Sequence, residues 1–399
     1  MTGKLWDGCF PIKRSAKPLT NAIKKTLLQA FMTGVSVKKA GSVSRMKKYK
    51  RLAAILAIMI IAAGCGTDRS GTDRYGSGSG EVRETEKEEA RDDTVRMEER
   101  NDEAVTNATL PKELAQIPED YFEDSEYPGT LVELWYDTYE SMTYEEHSQV
   151  LHKRAIVYLP YGYSGQEKYN VFYLMHGGWS DETVYLGIPD RPAAFKNVLD
   201  NGIAAGEIQP MIVVCPTYNN TSTEDSGDYS LAIRLTENYH RELINDLIPA
   251  VEGAYSTYAE DTTIEGIRAS RDHRAFAGFS MGSVATWRTF QYCLDSFRYF
   301  MPSSGNLTSD GAYMASMVKE AGYTWKDFFI FAASGTNDFA YDSFKNQIEA
   351  MAEVGDGTFR YADQEKDGNL YFLEQEGGTH SGEYAMEYFY NGLRWIWQP

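Results

Sequence analysis

The pentapeptide Gly278-Phe279-Ser280-Met281-Gly282 constrains this chain more than any other feature. It follows the apolar run Arg274-Ala275-Phe276-Ala277 and precedes a segment of helical character, so it reads as a sharp turn between a strand and a helix. Such a turn strains the backbone at the serine, and the positions around it must be nearly free of side chain if strand and helix are to pack closely. Glycine meets both demands. A serine hydroxyl held at the tip of that turn has the placement of a nucleophile. The pattern alone is common, so the rest of the chain must supply a base and its partners.

Downstream of Ser280 there is a single histidine, His380, in Glu376-Gly377-Gly378-Thr379-His380-Ser381. A neutral imidazole can take the hydroxyl proton during attack and return it to the leaving group, provided a partner fixes its tautomer. Asp338 is the best partner. It lies in Phe329-Ile330-Phe331-Ala332-Ala333-Ser334-Gly335-Thr336-Asn337-Asp338, an apolar strand breaking into a glycine-containing loop, where doubly wound α/β folds expose functional side chains. The chain order Ser280, Asp338, His380 is that of α/β-hydrolases and differs from that of the chymotrypsin-like and subtilisin-like proteases.

Upstream, Val171-Phe172-Tyr173-Leu174-Met175-His176-Gly177-Gly178-Trp179 reads as a buried strand entering a glycine loop. In acyl transfer the carbonyl oxygen gains negative charge, and an N–H aimed at it is worth roughly 3–4 kcal/mol. The expected donors are the backbone N–H groups of Met281 and Gly178. His176 is expected to shape the loop, with no part in proton transfer.

Taken together, the His-Gly-Gly loop, the Gly-Phe-Ser-Met-Gly elbow, the Gly-Thr-Asn-Asp loop and the Gly-Gly-Thr-His loop resemble the esterase D and feruloyl esterase type of α/β-hydrolase, carbohydrate esterase family 1. The resemblance runs from about Glu126 to Trp397 and includes Arg154-Ala155-Ile156-Val157-Tyr158-Leu159-Pro160 and Asp246-Leu247-Ile248-Pro249. It implies an α/β-hydrolase fold, a mostly parallel central sheet with helices on both faces. It also implies hydrolysis of esters, typically ferulate or acetate on xylan, by Ser280, Asp338 and His380 without metal or cofactor. Two positions depart from the family: Ser283 stands where many members have glycine, and residues 259–270 look longer than needed, either a surface excursion near the site or only a loop.

The chain is charged unevenly. Residues 1–64 hold 13 Lys or Arg and one acidic residue, so within a total of −19 the remainder carries −31. So acidic a surface repels nucleic acid and anionic headgroups and suits a neutral or weakly charged substrate. Met46-Lys47-Lys48-Tyr49-Lys50-Arg51, the apolar run Leu52 to Ala63 and Ala62-Ala63-Gly64-Cys65 resemble a bacterial lipoprotein signal. The expectation is cleavage before Cys65, acylation of its thiol and an extracytoplasmic protein held at the membrane by lipid alone. The corresponding divisions are 1–45 as an upstream extension ahead of a start at Met46, 46–64 as signal, 65–118 as a charged tether with little to bury, and 119–399 as the esterase domain.

Of the other cysteines, Cys9 precedes the proposed start, and Cys215 and Cys293 are expected as buried side chains outside any disulfide. No spacing of His or Cys supports a metal site. Strands are expected around Ala155 to Leu159, Val171 to Met175, Met211 to Cys215, Arg274 to Phe279, Tyr299 to Pro302, Phe328 to Ala333 and Asn369 to Glu374. Helices are expected around Ala193 to Asn201, Thr236 to Gly253, Met281 to Leu294, Ser343 to Val354 and Gly382 to Trp397. Trp179 and Tyr218 are the aromatics expected to line an acyl or sugar pocket. His147, His152, His240 and His273 are expected at the surface or in support. The reading is a serine esterase acting on ester-decorated plant polysaccharide or derived oligosaccharides. The alternatives are an acyltransferase resembling the mycolyl transferases, an esterase for a siderophore or S-formylglutathione, and a non-catalytic carbohydrate binder.

Overall fold

Eight strands form one sheet in the computed structural model, which describes residues 108–398. The readings of the upstream extension, the signal, Cys65 and most of the tether lie outside the described residues. The strands are β1 (Thr130–Tyr139), β2 (Val150–Leu159), β3 (Asn170–Met175), β4 (Met211–Cys215), β5 (Arg274–Phe279), β6 (Tyr299–Ser303), β7 (Phe329–Gly335) and β8 (Leu370–Gln375). Their spatial order is β1-β2-β4-β3-β5-β6-β7-β8. β2 pairs antiparallel with both neighbours, and every pairing from β4 to β8 is parallel. This is the α/β-hydrolase fold.

The central strands read as uninterrupted apolar runs because both faces of a parallel sheet are covered. β7 is buried along all seven residues. Side chains alternate between two cores: Val171, Tyr173 and Met175 join one cluster, Phe172 and Leu174 the other. Helix Met281–Tyr292 closes the first face through Ala285, Trp287 and Phe290. Helices Ala194–Ala204 and Gly382–Trp395 close the second through Phe195, Val198, Phe389 and Trp395. Cys215 and Cys293 are both buried and unpaired.

The expected strands appear within a residue or so at most ends, although β2 starts at Val150 rather than Ala155. Sequence reading missed β1, an edge strand with Leu131, Tyr136 and Thr138 turned inward and Trp135 and Asp137 exposed. It also missed helix Gly311–Glu320, which Asp310 caps by accepting from the Tyr313 N–H at 3.0 Å. The single helix expected over Thr236 to Gly253 is divided into Tyr229–Asn238, His240–Glu242, a π turn Leu243–Leu247 and Ile248–Ala254. Pro249, which has no N–H to donate, sits just beyond that π turn.

One boundary needs correction. The folded unit does not start at 119, because Leu110 and Ile117 are buried in the second core. The Asn391 side chain clasps Ala115 on both sides, accepting from its N–H at 2.9 Å and donating to its carbonyl at 2.8 Å, while Trp395 Nε1 donates to the Ala108 carbonyl at 3.1 Å. Apolar residues within the otherwise charged stretch explain the docking, since each buried Leu or Ile contributes roughly 1.5–3 kcal/mol. The stretch 259–270 contains a short helix, Ile264–Ala269, and leads into the amino end of β5, away from Ser280 at the carboxyl end. It is therefore no excursion beside the site.

Candidate active site

The loops leaving the carboxyl ends of β3, β5, β7 and β8 converge on one point. Ser280 takes φ 61° and ψ −119°, a conformation that costs a non-glycine residue on the order of 1–3 kcal/mol. The surrounding structure holds it there. Its N–H donates to the Ser303 carbonyl of β6 at 2.9 Å, and the helix beginning at Met281 leaves directly behind it. A methyl group on Gly278 would strike the Gly282 carbonyl, and one on Gly282 would strike the Met175 carbonyl, so the elbow closes only with glycine at both positions. Ser283 fits where the family often has glycine, because its hydroxyl donates to the Gly305 carbonyl at 2.6 Å.

His380 stands between Ser280 and Asp338. Its Nε2 lies 2.9 Å from Ser280 Oγ, and its Nδ1 lies 2.8 Å from each Asp338 carboxylate oxygen. A carboxylate can only accept, so Nδ1 carries the proton and Nε2 is left to accept from the serine hydroxyl. The Asp338 side chain is fully buried, and its Oδ1 also accepts from the Ala340 N–H at 2.8 Å. The loops after β7 and β8 are laced together: the Asn337 N–H donates to the Gly378 carbonyl at 2.9 Å, and the Gly377 N–H to Thr336 Oγ1 at 2.8 Å. This lacing fixes the separation of Asp338 and His380.

Two phenylalanines pack on the imidazole, Phe279 with ring centres 4.4 Å apart and Phe339 at 4.2 Å. Phe339 is 77% exposed, which is unusual for so large an apolar side chain. Sequence reading missed it, although its place directly after Asp338 in a loop was the available signal.

Of the expected oxyanion donors, Met281 directly follows Ser280 and Gly178 directly follows Gly177. Neither N–H donates to a protein acceptor among the described residues. That of Met281 is left over at a helix start, where the first amides have no partner within the helix. A Cβ placed on Gly177 would lie 3.5 Å from Ser280 Cβ, so the glycine loop borders the nucleophile. Beyond it Trp179 adopts φ 56° and is 57% exposed, its N–H donating to the Ser226 carbonyl at 2.9 Å. Trp179 is therefore an exposed aromatic directly after Gly178.

Tyr218 departs from expectation. It is 0% exposed, its ring stacks on His176 at 4.4 Å, and its hydroxyl donates to the Gly177 carbonyl at 2.9 Å. It cannot offer a face to an incoming ligand, and it braces the glycine loop instead. His176 is equally buried, and burial lowers its pKa to about 4, so the ring is neutral at ordinary pH. Its Nδ1 donates to the same Gly177 carbonyl at 2.7 Å, while its Nε2 meets Thr217 Oγ1 at 2.8 Å. Of the remaining histidines, His147 and His152 are exposed, and His240 and His273 are half-buried. Among the described residues no cluster of His, Cys, Asp and Glu is arranged to hold a metal.

A family model described as "Putative esterase" matches residues 152–351. The chain is similar to endo-1,4-beta-xylanase Y of Acetivibrio thermocellus, 41% identical over 247 residues that make up 60% of this chain and 21% of that protein. It is also similar to an endo-1,4-beta-xylanase/feruloyl esterase of Xylanibacter ruminicola, 30% identical over 221 residues, 54% of this chain and 27% of that one. The chain thus spans between about a fifth and somewhat over a quarter of these curated relatives. Among solved structures, a mutant of the feruloyl esterase module from Clostridium thermocellum complexed with sinapinate is 35% identical, with a TM-score of 0.62 over 73% of this chain and 95% of that one.

Proposed function

The chain belongs to the esterase family, and we propose that it is a serine carboxylesterase that removes feruloyl or acetyl groups from xylan or from oligosaccharides derived from it. One observation carries this reading: the unbroken row from Ser280 Oγ through His380 to the buried Asp338 carboxylate, at 2.9 and 2.8 Å, starting from a strained turn. In the proposed mechanism Ser280 Oγ attacks the ester carbonyl while His380 Nε2 takes its proton. The developing oxyanion is met by the N–H groups of Gly178 and Met281. His380 then gives the proton to the departing alcohol, and water activated by the same imidazole releases the acid from the acyl-enzyme. Asp338 stabilises the imidazolium formed in each half of the cycle and keeps Nδ1 protonated.

The substrate class is supported by the names of the relatives and by two exposed aromatic side chains. Trp179 and Phe339 offer flat apolar faces suited to a phenolic ring or a pyranose. The test is release of acid by residues 101–399 from methyl ferulate, p-nitrophenyl acetate and acetylated xylan. Turnover of methyl ferulate at kcat/KM at least tenfold above that of the acetate is expected. Equal rates on all three would remove the aromatic acyl group from the proposal, and no turnover of any would remove hydrolysis.

Export and lipid anchoring at Cys65 complete the proposal, on the strength of the basic, apolar and small-residue succession ending at that cysteine. Cys65→Ser in the bacterial host is expected to move the protein out of the detergent-extracted membrane fraction and abolish labelling by a radioactive fatty acid. Unchanged fractionation would sink this part of the reading.

A further inference from the structure

We propose that Tyr218 and His176 act as positioning residues for ester hydrolysis, aiming the Gly178 N–H by pinning the Gly177 carbonyl of the same peptide unit; the inference rests on the esterase reading above. A trans peptide points its C=O and N–H in opposite directions, so whatever fixes the Gly177 carbonyl also fixes the Gly178 N–H. Two donors converge on that one oxygen, Tyr218 OH at 2.9 Å and His176 Nδ1 at 2.7 Å. Glycine at both 177 and 178 leaves the unit otherwise free to rotate, so without these donors the loop has little of its own to set the direction.

The donors are themselves held. Thr217 Oγ1 accepts from the Asn219 N–H at 3.0 Å, which leaves its own proton for His176 Nε2 at 2.8 Å. That arrangement selects the tautomer with the proton on Nδ1, the one able to donate to Gly177. The Thr217 carbonyl in turn accepts from Lys153 Nζ at 2.7 Å, and Lys153 pairs with the buried Glu242 at 2.8 Å. From the other side Asn219 Oδ1 accepts from the Ser226 N–H at 2.9 Å, and the Ser226 carbonyl holds Trp179. The glycine loop is thus fastened on either side of the peptide that matters.

A pocket-lining residue and a positioning residue respond differently to the acyl group. Tyr218→Phe keeps the ring and its stacking on His176 but removes one of the two donors. The expected result is a fall in kcat of about tenfold, less than the 10²–10³ that follows loss of an oxyanion donor itself. KM should stay within twofold, and the factor should be the same for p-nitrophenyl acetate and methyl ferulate. Affinity for phenylboronic acid, whose tetrahedral adduct places an oxygen where the oxyanion forms, should fall by a matching factor. His176→Asn can return an amide donor near the Nδ1 position and is expected to retain several times the kcat of His176→Leu at equal melting temperature. Loss confined to one ester, loss expressed in KM, or unchanged kcat in Tyr218→Phe would each overturn the inference. A wild type inert on both esters would overturn the esterase reading instead.

Discussion

Replacing Ser280 by alanine is expected to lower kcat/KM for methyl ferulate by at least about a thousandfold, and up to about 10⁶-fold if attack by this hydroxyl limits the rate. The residual rate is that of water attacking an ester still held beside the Gly178 and Met281 N–H groups. The substitution removes only one oxygen. Alanine meets the same penalty at φ 61° that serine already bears, and the lost hydrogen bond to His380 is worth about 0.5–1.5 kcal/mol net. Melting temperature and far-ultraviolet circular dichroism should therefore match the wild type closely, and ester binding should persist. Ferulate release followed by chromatography and labelling by a fluorophosphonate read the same event independently. A variant that keeps more than a tenth of the wild-type rate, or still takes up the label, would exclude Ser280 as nucleophile.

Much of this site could be read from the chain because its chemistry is tied to rare local patterns. Ser280 is marked by glycines that only a tight elbow requires, and His380 is the sole histidine after it. Asp338 could be placed because an apolar run ends in a glycine loop, and parallel strands bring such loops to one edge. What sequence could not give is the direction a side chain takes once the backbone leaves a strand. Tyr218 follows β4 as a pocket residue would, yet its ring turns inward onto His176, and nothing in the order of residues distinguishes the two. Phe339 was missed for the opposite reason, since an apolar residue in a loop is ordinarily assigned to burial. β1 escaped because only three of its ten residues are buried, with Leu131 in one core and Tyr136 in the other, so its apolar pattern is weaker than that of β3 or β7. The docking of residues 108–118 depends on partners such as Asn391 and Trp395, nearly the length of the domain away in sequence.

Asp338→Asn tests the second half of the row, where the change in charge matters less than the change in hydrogen-bond polarity. In the native protein Asp338 Oδ1 accepts from the Ala340 N–H at 2.8 Å, and His380 Nδ1 lies 2.8 Å from Oδ1 and from Oδ2 alike, so whatever occupies the Oδ2 position faces the imidazole. An amide has one acceptor and one donor end. The Ala340 N–H can only be met by the oxygen, which turns the NH₂ toward His380. Nδ1 must then accept, the imidazole proton moves to Nε2, and Nε2 can no longer receive the proton of Ser280 Oγ. Geometry is preserved while the tautomer is reversed, and the expected cost is on the order of 10³–10⁴ in kcat with KM within threefold. The buried position also loses a compensating charge for the imidazolium, which adds to the cost in the same direction. Steady-state kinetics on methyl ferulate, with a crystal structure or amide-exchange profile to establish that the loop is intact, decides the matter. A loss smaller than tenfold would mean that His380 takes its orientation from elsewhere, and that the packing of Phe279 and Phe339 on its ring contributes more to catalysis than the carboxylate does.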